Sequence, residues 1–215
     1  MDFAAARRNM VASQIRTIPI TDPLVIAAIE AVPREKFVPA AMRHVAYVDE
    51  CIQVGRGRYA MEPAVLARLL QLAEIEPGNK ALVVAAGTGY SAAVLANAVA
   101  KVVSVESDAA LAAQARGACS EINVAVKALV GDVKRGAPDD APFDVIVIDG
   151  AVEEIPQALQ SQLADGGRLV AIVRVGSVGR ATLTVRSGAA FSRRDDFDAM
   201  TATLQEFART PAFVF

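Results

Sequence analysis

Short, almost continuously apolar runs alternate with helix-period segments through the second half of the chain. The runs predict strands at 80–84, 102–105, 125–130, 145–148 and 168–173, and the segments between them predict helices at 90–98, 108–120 and 156–162. Strands that are apolar throughout, rather than at every second position, are those of a parallel sheet covered on both faces. Two further runs, 181–185 and 190–194, are separated by Ser187-Gly188 and predict a hairpin; residues 212–215 predict a last strand. The first part of the chain reads differently. A helix is predicted over 2–15, a linker over 18–21, and a second helix opened by Asp22-Pro23 and running through Ala31. Residues 32–35 are a turn and Phe37-Val38-Pro39 is extended. Residues 47–61, rich in glycine and polar side chains, read as irregular. Pro63 starts a helix through Leu72, and Pro77-Gly78 closes the lead-in. The fold class is therefore α/β, doubly wound, with a helical N-terminal extension over 1–78 and a single compact core over 79–215.

The most informative unit is 81–108. An apolar run ends in Gly87-Thr88-Gly89, a helical pattern follows, and the next apolar run stops on Glu106. Glycines allow close approach of a ligand to the backbone, and the following helix N-terminus offers free N–H groups. A carboxylate at the end of the second strand can accept hydrogen bonds from a ribose. Glu106 stands seventeen residues after Gly89, near the roughly 20 typical of nucleotide-binding units. The stretch Gly87–Ala92 even fits the loose dinucleotide fingerprint with alanine in last place. The bland alternative is a tight strand-to-helix turn without a ligand.

Composition narrows the function classes. Of 215 residues, 53% are hydrophobic and 5% aromatic, with no Trp, so the core is built from Ala, Val and Leu. The net charge of −2 provides no basic field for nucleic acid, and Arg7-Arg8 and Arg193-Arg194 read as solvated faces. Cys51 and Cys119 have no metal-ligand spacing, and His44 is the single histidine, so no metal site is expected. No apolar run reaches membrane-spanning length, and residues 1–9 do not read as an export signal; a soluble cytoplasmic protein is expected.

The markers Met10-Val11 with Gln14-Ile15, Val32-Pro33-Arg34, Phe37-Val38-Pro39, Ala46-Tyr47 with Asp49, Gly87-Thr88-Gly89-Tyr90, Gly131-Asp132, Ala141-Pro142-Phe143-Asp144, Ile155-Pro156 and Gly166-Gly167-Arg168-Leu169-Val170 run along nearly the whole chain. In this combination the chain resembles the protein-L-isoaspartate O-methyltransferases. These enzymes transfer a methyl group from S-adenosylmethionine to carboxylates of damaged aspartyl residues. The resemblance implies a seven-stranded, mostly parallel sheet of Rossmann-like methyltransferase type with one antiparallel strand near its edge. It implies S-adenosylmethionine as cofactor, bound by Ala85, Ala86, Gly87, Thr88 and Gly89, with Glu106 on the ribose and Asp132 at the adenine amino group. It also implies a peptide or protein partner carrying isoaspartyl residues, and no nucleic acid or membrane partner. The plain alternative for Asp132 is a turn residue after Gly131.

The chain departs from that family at two places. Val83 and Ala85 stand where the cofactor loop usually has an acid and a first glycine. Between Gly57 and Pro63, Tyr59-Ala60-Met61 replaces the family's Thr-Ile-Ser, so Met61 removes a hydroxyl that helps orient the acceptor. Methyl transfer to a carboxylate depends on alignment, because the acceptor is already an anion at neutral pH. Tyr59, Arg56 and Arg58 are candidate substitutes, two guanidiniums being able to grip a carboxylate; the alternative is that both arginines are solvated loop charges. Asp149, after the fourth strand of the core, is unexpected for the family. It is a candidate acid/base or metal ligand, with a helix N-cap slightly favoured, and its charge would repel an anionic acceptor. Three other readings stay open: a cofactor-binding relative with little repair activity, a methyltransferase for another acceptor, and, more distantly, a nicotinamide oxidoreductase.

Overall fold

A computed structural model describes residues 1–208. The predicted last strand at 212–215 lies outside the described residues. The chain forms helix α1 (Phe3–Met10), α2 (Pro23–Ala31), strands β1 (Ile52–Gly55) and β2 (Arg58–Ala60), and α3 (Pro63–Leu72). There follow β3 (Lys80–Val84), α4 (Tyr90–Ala96), β4 (Lys101–Glu106), α5 (Ala109–Glu121), β5 (Lys127–Val130) and β6 (Phe143–Val152). The chain then runs through α6 (Gln157–Gln160), β7 (Leu163–Val175), β8 (Val178–Ser187) and β9 (Ala190–Asp198). Seven strands make one sheet in the order β5-β4-β3-β6-β7-β8-β9. All pairs from β5 to β7 are parallel, and β8 is antiparallel to both neighbours. This is the doubly wound, Rossmann-like methyltransferase architecture the resemblance implies.

The helices begin where capping chemistry allows. Asp2, Asp22 and Asp108 each accept a backbone N–H in the first turn of α1, α2 and α5, which supplies an acceptor to donors that have no partner within the helix. Pro23 and Pro63 occupy first helical positions, where a missing N–H costs nothing. The predicted helix over 2–15 is α1 continued by a π-helical turn, Val11–Ile15.

Alternation along the buried strands divides the core in two. Ala81 and Val83 of β3, Val145 and Val147 of β6, and Val170 and Ile172 of β7 face one layer, together with α2, α3 and α4. Leu82, Val84, Ile146, Ile148, Leu169 and Ala171 face the other, which Val133, Leu159, Leu204 and Phe207 complete. The N-terminal helices thus share one apolar layer with the sheet. One prediction needs correcting. Residues 47–61 are not irregular throughout, because β1 and β2 form an antiparallel hairpin around Gly57, whose φ is +68°. With Ile52, Val54, Arg58 and Ala60 buried and Gln53 and Tyr59 exposed, the alternation is real, but three- and four-residue strands are too short to stand out in a sequence.

Candidate functional site

Register at the C-terminal edge of the sheet assembles the site. Val84 pairs with Val105 on one side and with Ile148 on the other. The next residues, Ala85, Glu106 and Asp149, therefore emerge side by side where strand order reverses, the place where open α/β sheets bind ligands. The loop after β3 turns sharply: Ala85, Gly87 and Gly89 have φ of +58°, +52° and +92°. Ala85 keeps the left-handed conformation despite its Cβ, at a cost of roughly 1–2 kcal/mol. Gly89 is required by packing as well, since a Cβ there would sit 2.9 Å from Ala115 Cβ on α5. Thr88 Oγ1 donates to the Phe37 carbonyl and ties the loop to the N-terminal segment. Val83 is wholly buried in β3 within the apolar layer shared with α2, α3 and α4, so this position offers the site no polar group.

Glu106 is the hub. Its Oε2 accepts the Gly87 N–H at 2.8 Å and Arg58 Nε at 3.0 Å; its Oε1 accepts the Asp108 N–H at 3.1 Å and Ser107 Oγ at 3.2 Å. Arg58 is only 4% exposed. Its other edge forms a fork with Glu206, with Nη1 at 3.0 Å from Oε2 and Nη2 on Oε1, while Nη2 also donates to Ser107 Oγ at 3.1 Å. Burial opposes the charge on Arg58, but the hydrogen bonds and charges of Glu206 and Glu106 outweigh it and hold the guanidinium above its usual range. The Arg58 hydrogen bond in turn holds Glu206 below the usual carboxylate range. Arg58 is therefore neither a solvated loop charge nor a free carboxylate clamp. Arg56 is exposed, as a solvated loop charge would be.

Asp149 lies inside β6, not at a helix start. The favoured N-cap reading is overturned, since the next helix, α6, begins beyond Pro156. Its Oδ2 accepts Ser91 Oγ at 2.7 Å, and its Oδ1 is buried without a hydrogen-bond partner. Burial pushes the carboxyl up to about 7, against the lowering effects of Ser91, Arg34 and Arg58 and with a raising contribution from Glu106. Asp149 lines a narrow crevice with Gly57, Tyr59, Met61, Gly150 and residues 201–204. Tyr59 is 37% exposed and Met61 is buried at 2%. Behind them Arg34 is fully buried, donating to the carbonyls of Ala46 at 2.8 Å and Met61 at 2.7 Å, with its guanidinium over the Tyr90 ring. No cluster of metal-ligating side chains occurs among the described residues, and no described helix is long and apolar enough to cross a membrane. His44 is exposed.

Asp132 follows Gly131, whose N–H donates to the Glu106 carbonyl at 3.0 Å. It is exposed and its Oδ1 accepts the Lys134 N–H at 2.8 Å within a turn. Sequence reasoning missed Glu206, which meets Arg58 from 148 residues away, Ser91, which meets Asp149 from 58, and Ser107, which adjoins Glu106 and meets Arg58 from 49. No local pattern marks them.

Over residues 5–201 the chain matches the family model of protein-L-isoaspartate(D-aspartate) O-methyltransferase. The chain belongs to this family. Its relatives include protein-L-isoaspartate O-methyltransferase 1 of Rhodopseudomonas palustris, 41% identical over 78% of this chain and 69% of that protein. The Methylorubrum populi protein-L-isoaspartate O-methyltransferase is 40% identical over 89% of this chain and 91% of its own length. A solved protein-L-isoaspartate O-methyltransferase superimposes with a TM-score of 0.79 at 23% identity, over 92% of this chain and 65% of that one. Another, from Plasmodium falciparum in complex with S-adenosyl-L-homocysteine, gives 0.79 at 18% identity over 93% and 98%. At these identities the two structures establish the shared fold. The isoaspartate methyltransferase family uses S-adenosylmethionine, and the residues present here fit that group in kind. The left-handed loop keeps its backbone open at Gly87, where a Cβ would meet nothing closer than Val54 Cγ2 at 3.4 Å, and a carboxylate ends β4. The misfit is that every oxygen of that carboxylate is already engaged.

Proposed function

We propose that this chain methylates the free carboxylate of isoaspartyl residues in peptides or damaged proteins, with S-adenosylmethionine as methyl donor. The observation that supports this reading is the convergence of the 85–89 loop, Glu106, Asp149 and the β1–β2 hairpin at one edge of the sheet. When bound, the cofactor supplies an electrophilic methyl group. The chain's own task is to bind and align. The loop and Glu106 hold the cofactor, and Asp132 is the proposed adenine contact. The acceptor carboxylate needs no base, so rate depends on how well the hairpin positions it. Tyr59 offers one hydroxyl at the crevice. Asp149 offers a second donor while its carboxyl is protonated, a state that burial favours at neutral pH and below; ionised, it repels the acceptor. The reading places the activity in the cytoplasm, where the free thiols of Cys51 and Cys119 stay reduced.

A slow enzyme is part of this proposal, because Met61 presents a thioether where the family has a hydroxyl. The decisive experiment restores the hydroxyls. Ala60 is buried at 5% exposure, so inserting Ile there would overpack the core, and the double variant Tyr59→Thr, Met61→Ser is the cleaner choice. It should gain methyl transfer to an isoaspartyl peptide with unchanged affinity for S-adenosylhomocysteine, the signature of better acceptor alignment. Cofactor binding with no transfer from either the parent or the variant would instead favour a methyltransferase for another acceptor.

A further inference from the structure

We propose that Arg58 and the ribose hydroxyls of the cofactor compete for Glu106, and that Glu206 in the C-terminal segment latches Arg58 in the competing position. The proposal rests on the assignment of Glu106 to the ribose made above.

A carboxylate offers about four lone-pair sites, and Glu106 uses four: the Gly87 and Asp108 backbone N–H groups, Ser107 Oγ and Arg58 Nε. A ribose diol can approach only where one of these donors withdraws. The two backbone donors are built into the loop after β3 and the start of α5, and cannot leave without unwinding them. Ser107 Oγ has a single proton and lies 3.1 Å from Glu206 Oε1 as well as 3.2 Å from Glu106 Oε1, so its turning frees a place on Oε1 alone, and a diol that grips both oxygens still needs the place on Oε2 that Arg58 holds. Arg58 is different in kind. It is a long side chain on a three-residue strand beside Gly57, and its backbone need not move for its guanidinium to leave.

The guanidinium is rigid and planar. Its Nε edge faces Glu106 while Nη1 and Nη2 fork onto Glu206. Turning it away from Glu106 also breaks the fork unless Glu206 moves with it. Glu206 sits in the 3-10 turn Gln205–Phe207. That turn is anchored just upstream, where the Leu204 N–H donates to the Ala151 carbonyl at 2.8 Å and the Ala151 N–H donates to the Ala202 carbonyl at 2.9 Å. The latch therefore joins three elements distant in sequence: the hairpin that carries Tyr59 and Met61, the end of β4, and the segment after β9. Opening it for the cofactor releases the Glu206 turn, and residues 201–204 just before that turn line the crevice with Tyr59 and Met61, so the two substrates are linked through the Arg58–Glu206 pair.

Calorimetric titration of the full chain with S-adenosylhomocysteine tests this. Arg58→Gln, which withdraws the competing cation, and Glu206→Gln, which weakens the fork while leaving both Arg58 and Glu106 in place, should each bind the ligand several-fold to tenfold more tightly than the parent. Hydrogen–deuterium exchange supplies a readout independent of affinity: ligand should accelerate exchange at 203–207 in the parent and leave it unchanged in Glu206→Gln. Equal or weaker binding by both variants, with ligand leaving exchange at 203–207 unaltered in the parent, overturns the latch. Glu106→Ala in the same titration separates the two ideas. Lost binding there upholds the ribose assignment whatever the latch variants do, whereas unchanged binding overturns both.

Discussion

Ser91 Oγ donates a 2.7 Å hydrogen bond to Asp149 Oδ2 inside the protein, between the first turn of α4 and the end of β6. The bond joins the helix that follows the glycine loop to the strand that borders the crevice lined by Tyr59 and Met61. It gives the buried carboxyl one partner and leaves its second oxygen with none.

Stability should therefore fall with rising pH over the window set by Asp149. Its carboxyl titrates near 7 in the folded protein against 3.8 for an ordinary aspartate. Between those values the folded state holds a proton that the unfolded state has lost, so the stabilisation is complete below about pH 4 and is lost as pH rises through 7. The slope for one such group is at most about 1.4 kcal/mol per pH unit. Asp149→Asn should flatten it, and thermal melts of both proteins at pH 5 and pH 8 check this. An equal loss of Tm between the two pH values in parent and variant would contradict the assignment.

Arg34 should prove structural. It has no exposure and holds the carbonyls of Ala46 and Met61. Arg34→Met keeps the bulk and leaves two buried acceptors bare, at about 1–3 kcal/mol each. Urea unfolding should show a lower midpoint with an unchanged slope. The hairpin should loosen as well, visible as faster amide exchange at 58–61.

Gly150 has φ of +152°, and a Cβ there would lie 2.7 Å from Leu204 Cγ. Gly150→Ala should displace Leu204 and destabilise by about 1–3 kcal/mol, the range for overpacking. Adding Leu204→Ala should cost less in that background than in the parent, since the clash is already relieved. A denaturation double-mutant cycle measures the coupling.

Gly87 donates its N–H to Glu106 with φ of +52°. Gly87→Val forces a β-branched residue into a left-handed conformation and puts a side chain into the 85–89 loop proposed to hold the cofactor. Titration with S-adenosylhomocysteine should show no binding, and the melting point should drop by the few degrees that about 1–2 kcal/mol of backbone strain implies.

Much of the architecture follows from local pattern. The apolar runs that become β3, β4 and β6 are buried on both faces, so their hydrophobicity is continuous and readable without a structure. The caps at Asp22 and Asp108 act within three residues of themselves, and the left-handed turn needs its glycines at 87 and 89. These are short-range requirements, and sequence alone determined them. Glu106 was legible for the same reason, as a single acid ending an apolar strand. What became of it was not. In the sequence Arg58 is a candidate grip for an acceptor carboxylate or a solvated loop charge next to Gly57, and Glu206 is one more acid near the end of the chain. Their meeting depends on β1–β2 folding over the end of β4 and on the segment after β9 returning across β6, contacts that bridge 48 and 148 residues. Asp149 shows the same division. An aspartate after a strand usually caps a helix, because capping needs only its neighbours. Here β6 runs on to Val152, so the side chain stays within the strand beside Ser91, and burial sets its protonation. Tertiary structure alone decided which charges were buried and with whom, because desolvation and pairing depend on distance in space and leave no period in the chain.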